Sequence, residues 1–134
     1  MKNKKILITG FDGYTGWPVT LAISKRYKKS KILGIDNLKR RAWVKNVNSC
    51  SANQISSIQN RIKVAKKYGY KNIRFIKGDL TNLIFVKNVI NKFKPDIIIH
   101  LASQPSAPYA NLNSKNCNFT HYNNNISTLN LLWS

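Results

Sequence analysis

Three glycines, Gly10, Gly13 and Gly16, follow directly on the apolar run Ile6-Leu7-Ile8. An apolar-periodic stretch begins behind them at Tyr14. Strand, tight glycine turn and helix in that order suit a diphosphate. Glycine lets the backbone turn sharply and approach a ligand with no Cβ in the way. The helix start offers unpaired N–H groups and a partial positive charge. A second apolar run, Ile32 to Asp36, ends in an acid 20 residues beyond Gly16. An acid at that place accepts hydrogen bonds from adenosine ribose hydroxyls. Its charge repels a 2′-phosphate, which favours NAD over NADP. Arg40 and Arg41 follow it and read as a cationic lid on the adenosine side.

The acids are informative because they are few. The chain has 134 residues, 23 Lys or Arg and four acids, a formal net charge of +19. Glu is absent, and the four acids are Asp12, Asp36, Asp79 and Asp96. Asp12 lies in the glycine turn, Asp36 at a strand end, Asp79 just past the third strand and Asp96 at the start of the fourth. In an open α/β sheet, ligands bind outside the carboxyl ends of the strands, which is the place of the first three. A balance this basic also suits nucleic acid. The lysines are scattered, however, and no stripe of bases interleaved with aromatics appears. A nucleic-acid-binding protein on a similar scaffold is therefore the reading from a different class.

The elements that position these residues follow from periodicity. Strands are expected at 5–9, 32–36, 73–77 and 96–101. The last is a continuous apolar run of the kind a central parallel strand shows. The first helix is expected over 14–28, with Trp17, Leu21, Ala22 and Ile23 facing inward and Pro18 in its first turn. Residues 37–41 and 46–53 read as loop. A second helix is expected over 54–67, with Ile55, Ile58, Ile62 and Ala65 inward and Gly69 ending it. A third begins at Thr81 as its cap and holds Leu83, Val86, Val89, Ile90 and Phe93. The loop 102–109 is kept extended by its prolines. A long helix then starts after Asn116, with Ile126, Leu129, Leu131 and Leu132 toward the sheet. The fold class is α/β: a Rossmann-type doubly wound parallel sheet, β-α-β-α-β-α-β-α, with strand order 3-2-1-4. A full sheet of this kind has further strands, so the expectation is one NAD-binding domain over 1–134, the N-terminal part of a longer protein.

Several features exclude other classes. Cys50 and Cys117 lack metal spacing and are expected to stay reduced. No metal site is expected. The basic start resembles a signal n-region, but Gly10 and Asp12 interrupt the apolar run behind it. No apolar stretch is long enough to span a membrane, so a cytoplasmic protein is expected. His100, at the end of an apolar strand, reads as a satisfied core histidine, and His121 as solvated. Trp17, Trp43 and Trp133 read as packing residues.

Beyond these generic features, Gly10-Phe-Asp-Gly-Tyr-Thr-Gly-Trp17, Asp36-Asn-Leu-Lys-Arg-Arg41, Ile55-Ser-Ser-Ile-Gln-Asn-Arg-Ile62, Ser106-Ala-Pro-Tyr109 and Tyr122-Asn-Asn-Asn-Ile-Ser-Thr-Leu-Asn130 occur in one order. With them the chain resembles the extended short-chain dehydrogenase/reductases, and among these the UDP-sulfoquinovose synthases. The resemblance covers nearly the whole chain. It implies an NAD-dependent enzyme that converts UDP-glucose and sulfite to UDP-sulfoquinovose through transient oxidation at C4. A nucleotide-sugar 4-epimerase or 4,6-dehydratase is the alternative. By position, Gly10, Asp12, Gly13, Tyr14, Thr15 and Gly16 would lie along the diphosphate. Asp36, Asn37 and Arg40 would hold the adenosine ribose, with Asp79 and Leu80 flanking the adenine. Ala102, Ser103 and Gln104 would pass the nicotinamide ribose, supported by Asn123 or Asn124. Ser106, Ala107 and Tyr109 would face the sugar. Ser103 stands where the family often has an acid, Pro105 where some members have arginine, and Ser127 where glycine is usual. The family's catalytic Tyr-x-x-x-Lys pair lies beyond a fifth strand. The one such spacing here, Tyr27/Lys31, falls on the far side of the sheet and is read as chance. No catalytic residue is thus expected in this chain, which alone should not turn over. The resemblance also implies a homodimer of the whole protein and no membrane partner.

Overall fold

The computed structural model describes residues 3–134, so the first two residues of the n-region-like start lie outside it. Four parallel strands form one sheet in the order β3-β2-β1-β4. They are β1 (Lys5–Thr9), β2 (Lys31–Asp36), β3 (Ile73–Lys77) and β4 (Ile97–His100). β1 sits between β2 and β4, with Leu7 opposite Leu33 on one side and Ile98 on the other. Alternation along the strands feeds two cores. Ile6, Ile8, Ile32 and Ile73 pack with Phe11 and Ile58 on one face, and Leu7, Leu33 and Ile35 pack with Leu80, Val86, Val89 and Leu131 on the other. The expected α/β class and strand order hold.

Among the described residues six helices connect or flank these strands: α1 (Gly16–Arg26), α2 (Arg40–Asn46), α3 (Ile58–Lys67), α4 (Leu83–Phe93), α5 (Ala107–Ala110) and α6 (Ser114–Leu132). Helices α1 and α3 cover the first face, and α4 and α6 the second. Several expectations need correction. Trp17, Leu21 and Ile23 of α1 pack half-buried against the first core, but Ala22 is exposed, and the fully buried residues of the helix are Gly16, Thr20 and Ser24. Helix α3 starts later than the spacing predicts, because Ser57 caps it by accepting the Asn60 N–H, and this leaves Ile55 47% exposed. Helix α4 is capped by Asn82, not Thr81, whose hydroxyl instead donates to Asp79; Leu83 is 40% exposed. Residues 40–46, of which 40, 41 and 46 fall in stretches read as loop, form helix α2, and residues 107–110, read as extended chain, form α5. Helix α6 starts at Ser114 under an Asn113 cap. Its Leu129 and Leu132 face solvent, as does Trp133, so that tryptophan packs on little. β4 is an edge strand among the described residues, as the order 3-2-1-4 implies. Both cysteines are free thiols, and among the described residues no helix is long and apolar enough to cross a membrane.

Candidate dinucleotide cleft

The cleft opens at the carboxyl ends of the strands, between the β1–α1 turn and the segments after β2, β3 and β4. Its volume is about 180 Å³. Two glycines shape its floor. Gly10 has φ +68°, and a Cβ there would lie 2.6 Å from the Leu101 carbonyl. A Cβ on Gly16 would fall 2.0 Å from the Gly10 oxygen. Glycine is thus demanded at Gly10 by conformation and at Gly16 by close approach. The turn closes through Gly13 N–H to Gly10 O at 3.1 Å and Trp17 N–H to Gly13 O at 3.3 Å. The cap residue Thr15 supplies no side-chain bond to the helix start. Among the described residues the N–H groups of Tyr14, Thr15 and Gly16 meet no acceptor, and all three residues line the cleft. Three open donors at a helix start form an anion site.

Asp36 lies beside this turn. One carboxylate oxygen accepts the Asp12 N–H at 2.9 Å and the other the Leu38 N–H at 2.7 Å. Leu38 adopts φ +61°, a conformation costly for a branched side chain. Burial raises the Asp36 pKa above the ordinary aspartate value, and those two N–H groups oppose the rise. Across the cleft, burial would raise Asp79 as well. The Lys39 ammonium at 2.9 Å and the N–H and O–H of Thr81 together hold it below the ordinary value.

The Asp12 side chain is engaged by two arginines. Arg61 Nη1 reaches one of its oxygens at 2.7 Å and Arg41 Nη2 the other at 3.1 Å. Arg61 also lies 4.4 Å over the Trp17 ring, and burial lowers its pKa against the pull of Asp12. The Asp12 carboxylate is therefore already neutralised where the residue meets the cleft.

Of the residues singled out in the sequence, Gly10, Asp12, Gly13, Tyr14, Thr15, Gly16, Asp36, Asn37, Arg40, Asp79, Leu80, Ala102, Ser103 and Asn123 all line this cleft. Gln104 does not. Its side chain is 2% exposed and accepts the Ser106 N–H, and it borders a second cavity of about 310 Å³ together with Ser106. Ala107 and Tyr109 line neither cavity, and Tyr109 is buried. The loop after β4 is held by Asn124, which accepts from the Gln104 N–H and donates to its carbonyl, while Asn123 donates to Asn124. Sequence reasoning did not assign Trp43, Gly78, Pro105 or Ser127 to the cleft wall, nor Arg61 to the turn's support. Arg61 falls inside the quoted 55–62 string, the one sign of a role beyond helix α3. His100 is satisfied on both nitrogens, by Thr9 and Thr128, and stands outside the cleft wall. Tyr27 and Lys31 sit at the end of α1 and the start of β2, at the opposite end of the sheet.

Comparison with known proteins agrees with this geometry. The family model described as GDP-mannose 4,6 dehydratase matches residues 7–134. UDP-sulfoquinovose synthase of Sulfolobus acidocaldarius is 40% identical over 128 residues, covering 96% of this chain and 32% of that protein. The chloroplastic UDP-sulfoquinovose synthase of Spinacia oleracea is 34% identical over 132 residues, 98% of this chain and 27% of its own length. The chain thus spans about a third of the length of these relatives. A UDP-glucose 4-epimerase from Stenotrophomonas maltophila, solved with NAD and formylated UDP-arabinopyranose, superposes with TM-score 0.70 at 17% identity, covering 97% of this chain and 32% of that one. A dTDP-glucose 4,6-dehydratase from Bacillus anthracis in complex with NAD gives 0.65 at 22%, covering 96% and 32%. At those identities the structures show a shared fold. From the residue 7–134 match, the chain belongs to the GDP-mannose 4,6 dehydratase family, within the extended short-chain dehydrogenase/reductases.

Proposed function

We propose that this chain is the NAD-binding part of a nucleotide-sugar enzyme of the UDP-sulfoquinovose synthase kind. The observation that carries the reading is the trio of open N–H groups at Tyr14, Thr15 and Gly16, set beside a carboxylate that two backbone N–H groups hold in place. The donors fit a diphosphate, and Asp36 fits the diol of an adenosine ribose. NAD bound there supplies a hydride acceptor and donor for oxidation at the sugar C4. The chain's own residues bind and orient it. Gly10 and Gly16 keep the turn close, Asp36 receives the ribose hydroxyls, Asn37 and Arg40 flank them, and Leu80 walls the adenine beside Asp79. Ala102 and Ser103 border the nicotinamide end. The sugar would enter by Ser106, and a buried Tyr109 would shape its pocket from behind.

UDP-glucose and sulfite are the proposed substrates, on the similarity to the two synthases. A 4,6-dehydratase is the second reading, favoured by a dTDP-D-glucose 4,6-dehydratase of Dictyostelium discoideum 33% identical over 100 residues. A homodimer of the whole protein belongs to the proposal, and the exposed Tyr122, Leu129 and Leu132 of α6 support it. The 134 residues contain no Tyr-x-x-x-Lys besides Tyr27/Lys31, which supports binding without turnover by this chain alone. The test is titration of the chain with NADH and NADPH, read by nicotinamide fluorescence. Saturable NADH binding that Asp36→Ala weakens at least tenfold, with NADPH weaker than NADH, is the expected outcome. Equal binding of both, or indifference to Asp36→Ala, would overturn it. Product analysis of the whole protein with UDP-glucose, with and without sulfite, separates the synthase from the dehydratase.

A further inference from the structure

Helix α2 buries none of its residues, yet it stands over the cleft. It is held at points. On the near side Arg41 reaches Asp12 and the carbonyls of Ile55 and Ser56, and Lys39 reaches Asp79. On the far side the attachment is aromatic. The Trp43 ring lies 6.0 Å from Tyr109 on α5 and 5.6 Å from Phe119 on α6, and those two rings are 6.2 Å apart. Behind α2, between Val44, Val47 and Pro105, Pro108, runs the second cavity, so no packed apolar face backs the helix there.

We propose that Trp43, Tyr109 and Phe119 fasten residues 37–57 across the mouth of the cleft, and that this fastening sets how long a dinucleotide stays bound. The proposal rests on the reading of the cleft as a dinucleotide site. Trp43 and Arg40 form part of the cleft wall, whereas Phe119 lines neither cavity. Phe119 acts only through Trp43 and is a positioning residue. Opening the mouth requires the ring cluster to part while the Arg41 and Lys39 contacts let the segment swing. Removing one ring lowers the barrier to release and leaves entry unhindered.

The experiment measures NADH release from the chain after mixing with excess NAD, alongside the association rate and the melting temperature. Trp43→Leu and Phe119→Leu should each speed release about tenfold, the scale of losing two ring pairs. Association should be unchanged, and Trp43→Phe should restore slow release. Unfolding should move by only a few degrees in the Trp43 variants, because the Trp43 side chain is only half-buried and no residue of α2 is fully buried. Faster release in Trp43→Leu with wild-type release in Phe119→Leu would mean direct ligand contact and overturn the fastening, as would wild-type release in both. If the wild-type chain binds no NADH, the reading of the cleft falls and this inference with it.

Discussion

Asp12 presents an electrostatic contradiction that its neighbours resolve. A carboxylate in a phosphate-binding turn repels the ligand the turn is shaped for. Here Arg41 and Arg61 both engage it, so the cluster carries one net positive charge instead of one negative. Arg61 is the better buried of the two arginines, which makes its charge less screened. A charge cycle tests this. Arg61→Gln should weaken NADH binding about tenfold and destabilise the chain by about 1–3 kcal/mol, the range for removing one partner of a charged hydrogen bond. Asp12→Asn should also destabilise it, yet bind NADH as tightly as wild type or more so. The double variant should recover most of the affinity that Arg61→Gln loses. Fluorescence titration at two salt concentrations is the readout. An affinity that follows stability through all three variants would show that the cluster acts as a brace alone.

At the scale of elements, His100 joins three of them. Thr9 Oγ1 on β1 accepts the N–H groups of Leu101 and Ala102, so its own hydrogen goes to His100 Nδ1 at 2.7 Å. Thr128 on α6 donates to the Asn124 carbonyl, so its oxygen accepts from Nε2–H at 3.1 Å. This partner accounting fixes the neutral Nε2–H form. Burial also lowers the His100 pKa below its ordinary 6.5. The unfolded chain then binds more protons than the folded one in the window below 6.5, so stability is complete above that value and falls as pH drops through the lowered one. Urea unfolding at pH 7.5 and 5.5 should show this loss in the wild type. His100→Gln should cost about 1 kcal/mol at pH 7.5, a typical hydrogen bond, and lose less on acidification. Titration of Asp36 and Asp79 is common to both proteins and cancels in the comparison. An equal acid loss in both would place the sensitivity elsewhere.

The same scale explains what the sequence revealed of the fold. All four strands were readable from short apolar runs, because both faces of a parallel sheet are buried. So were the acids Asp36 and Asp79 at their ends, while most of the remaining cleft wall followed from the family resemblance. Helix faces were less legible. Helix α1 packs Trp17, Leu21 and Ile23 half-buried on the core, as their spacing implies, but its fully buried residues are Gly16, Thr20 and Ser24, small residues spaced by four that carry no hydropathy signal. Helix α2 buries no residue and so leaves no amphipathic trace, and the role of Trp43 over the cleft went unassigned with it. Hydropathy places Leu129 and Leu132 in the core, yet both are exposed, because it cannot distinguish a leucine facing the sheet from one facing outward.

For the whole molecule, the uncovered side is the edge of β4. Ile98 on that strand is 39% exposed, and the outer backbone groups of β4 meet no other strand among the described residues. An exposed apolar edge is a template for pairing with another chain. The charge of +19 opposes this only at long range and is screened over about 10 Å at 0.1 M salt. Ionic strength should therefore control how these 134 residues associate. Light scattering at fixed concentration should show a dispersed chain at low salt and association as salt rises. Ile98→Lys places a charge on the edge itself, where natural sheets use lysine to block pairing, and should keep the chain dispersed at the higher salt. The exposed side chain makes the change cheap for the fold, so the melting temperature should shift by only a few degrees, about 1 kcal/mol. If Leu132→Lys on α6 disperses the chain instead and Ile98→Lys does not, contact runs through the helix face and not the strand edge. A nucleic-acid partner would reverse the salt dependence: complexes would form at low salt and dissolve steeply as salt rises.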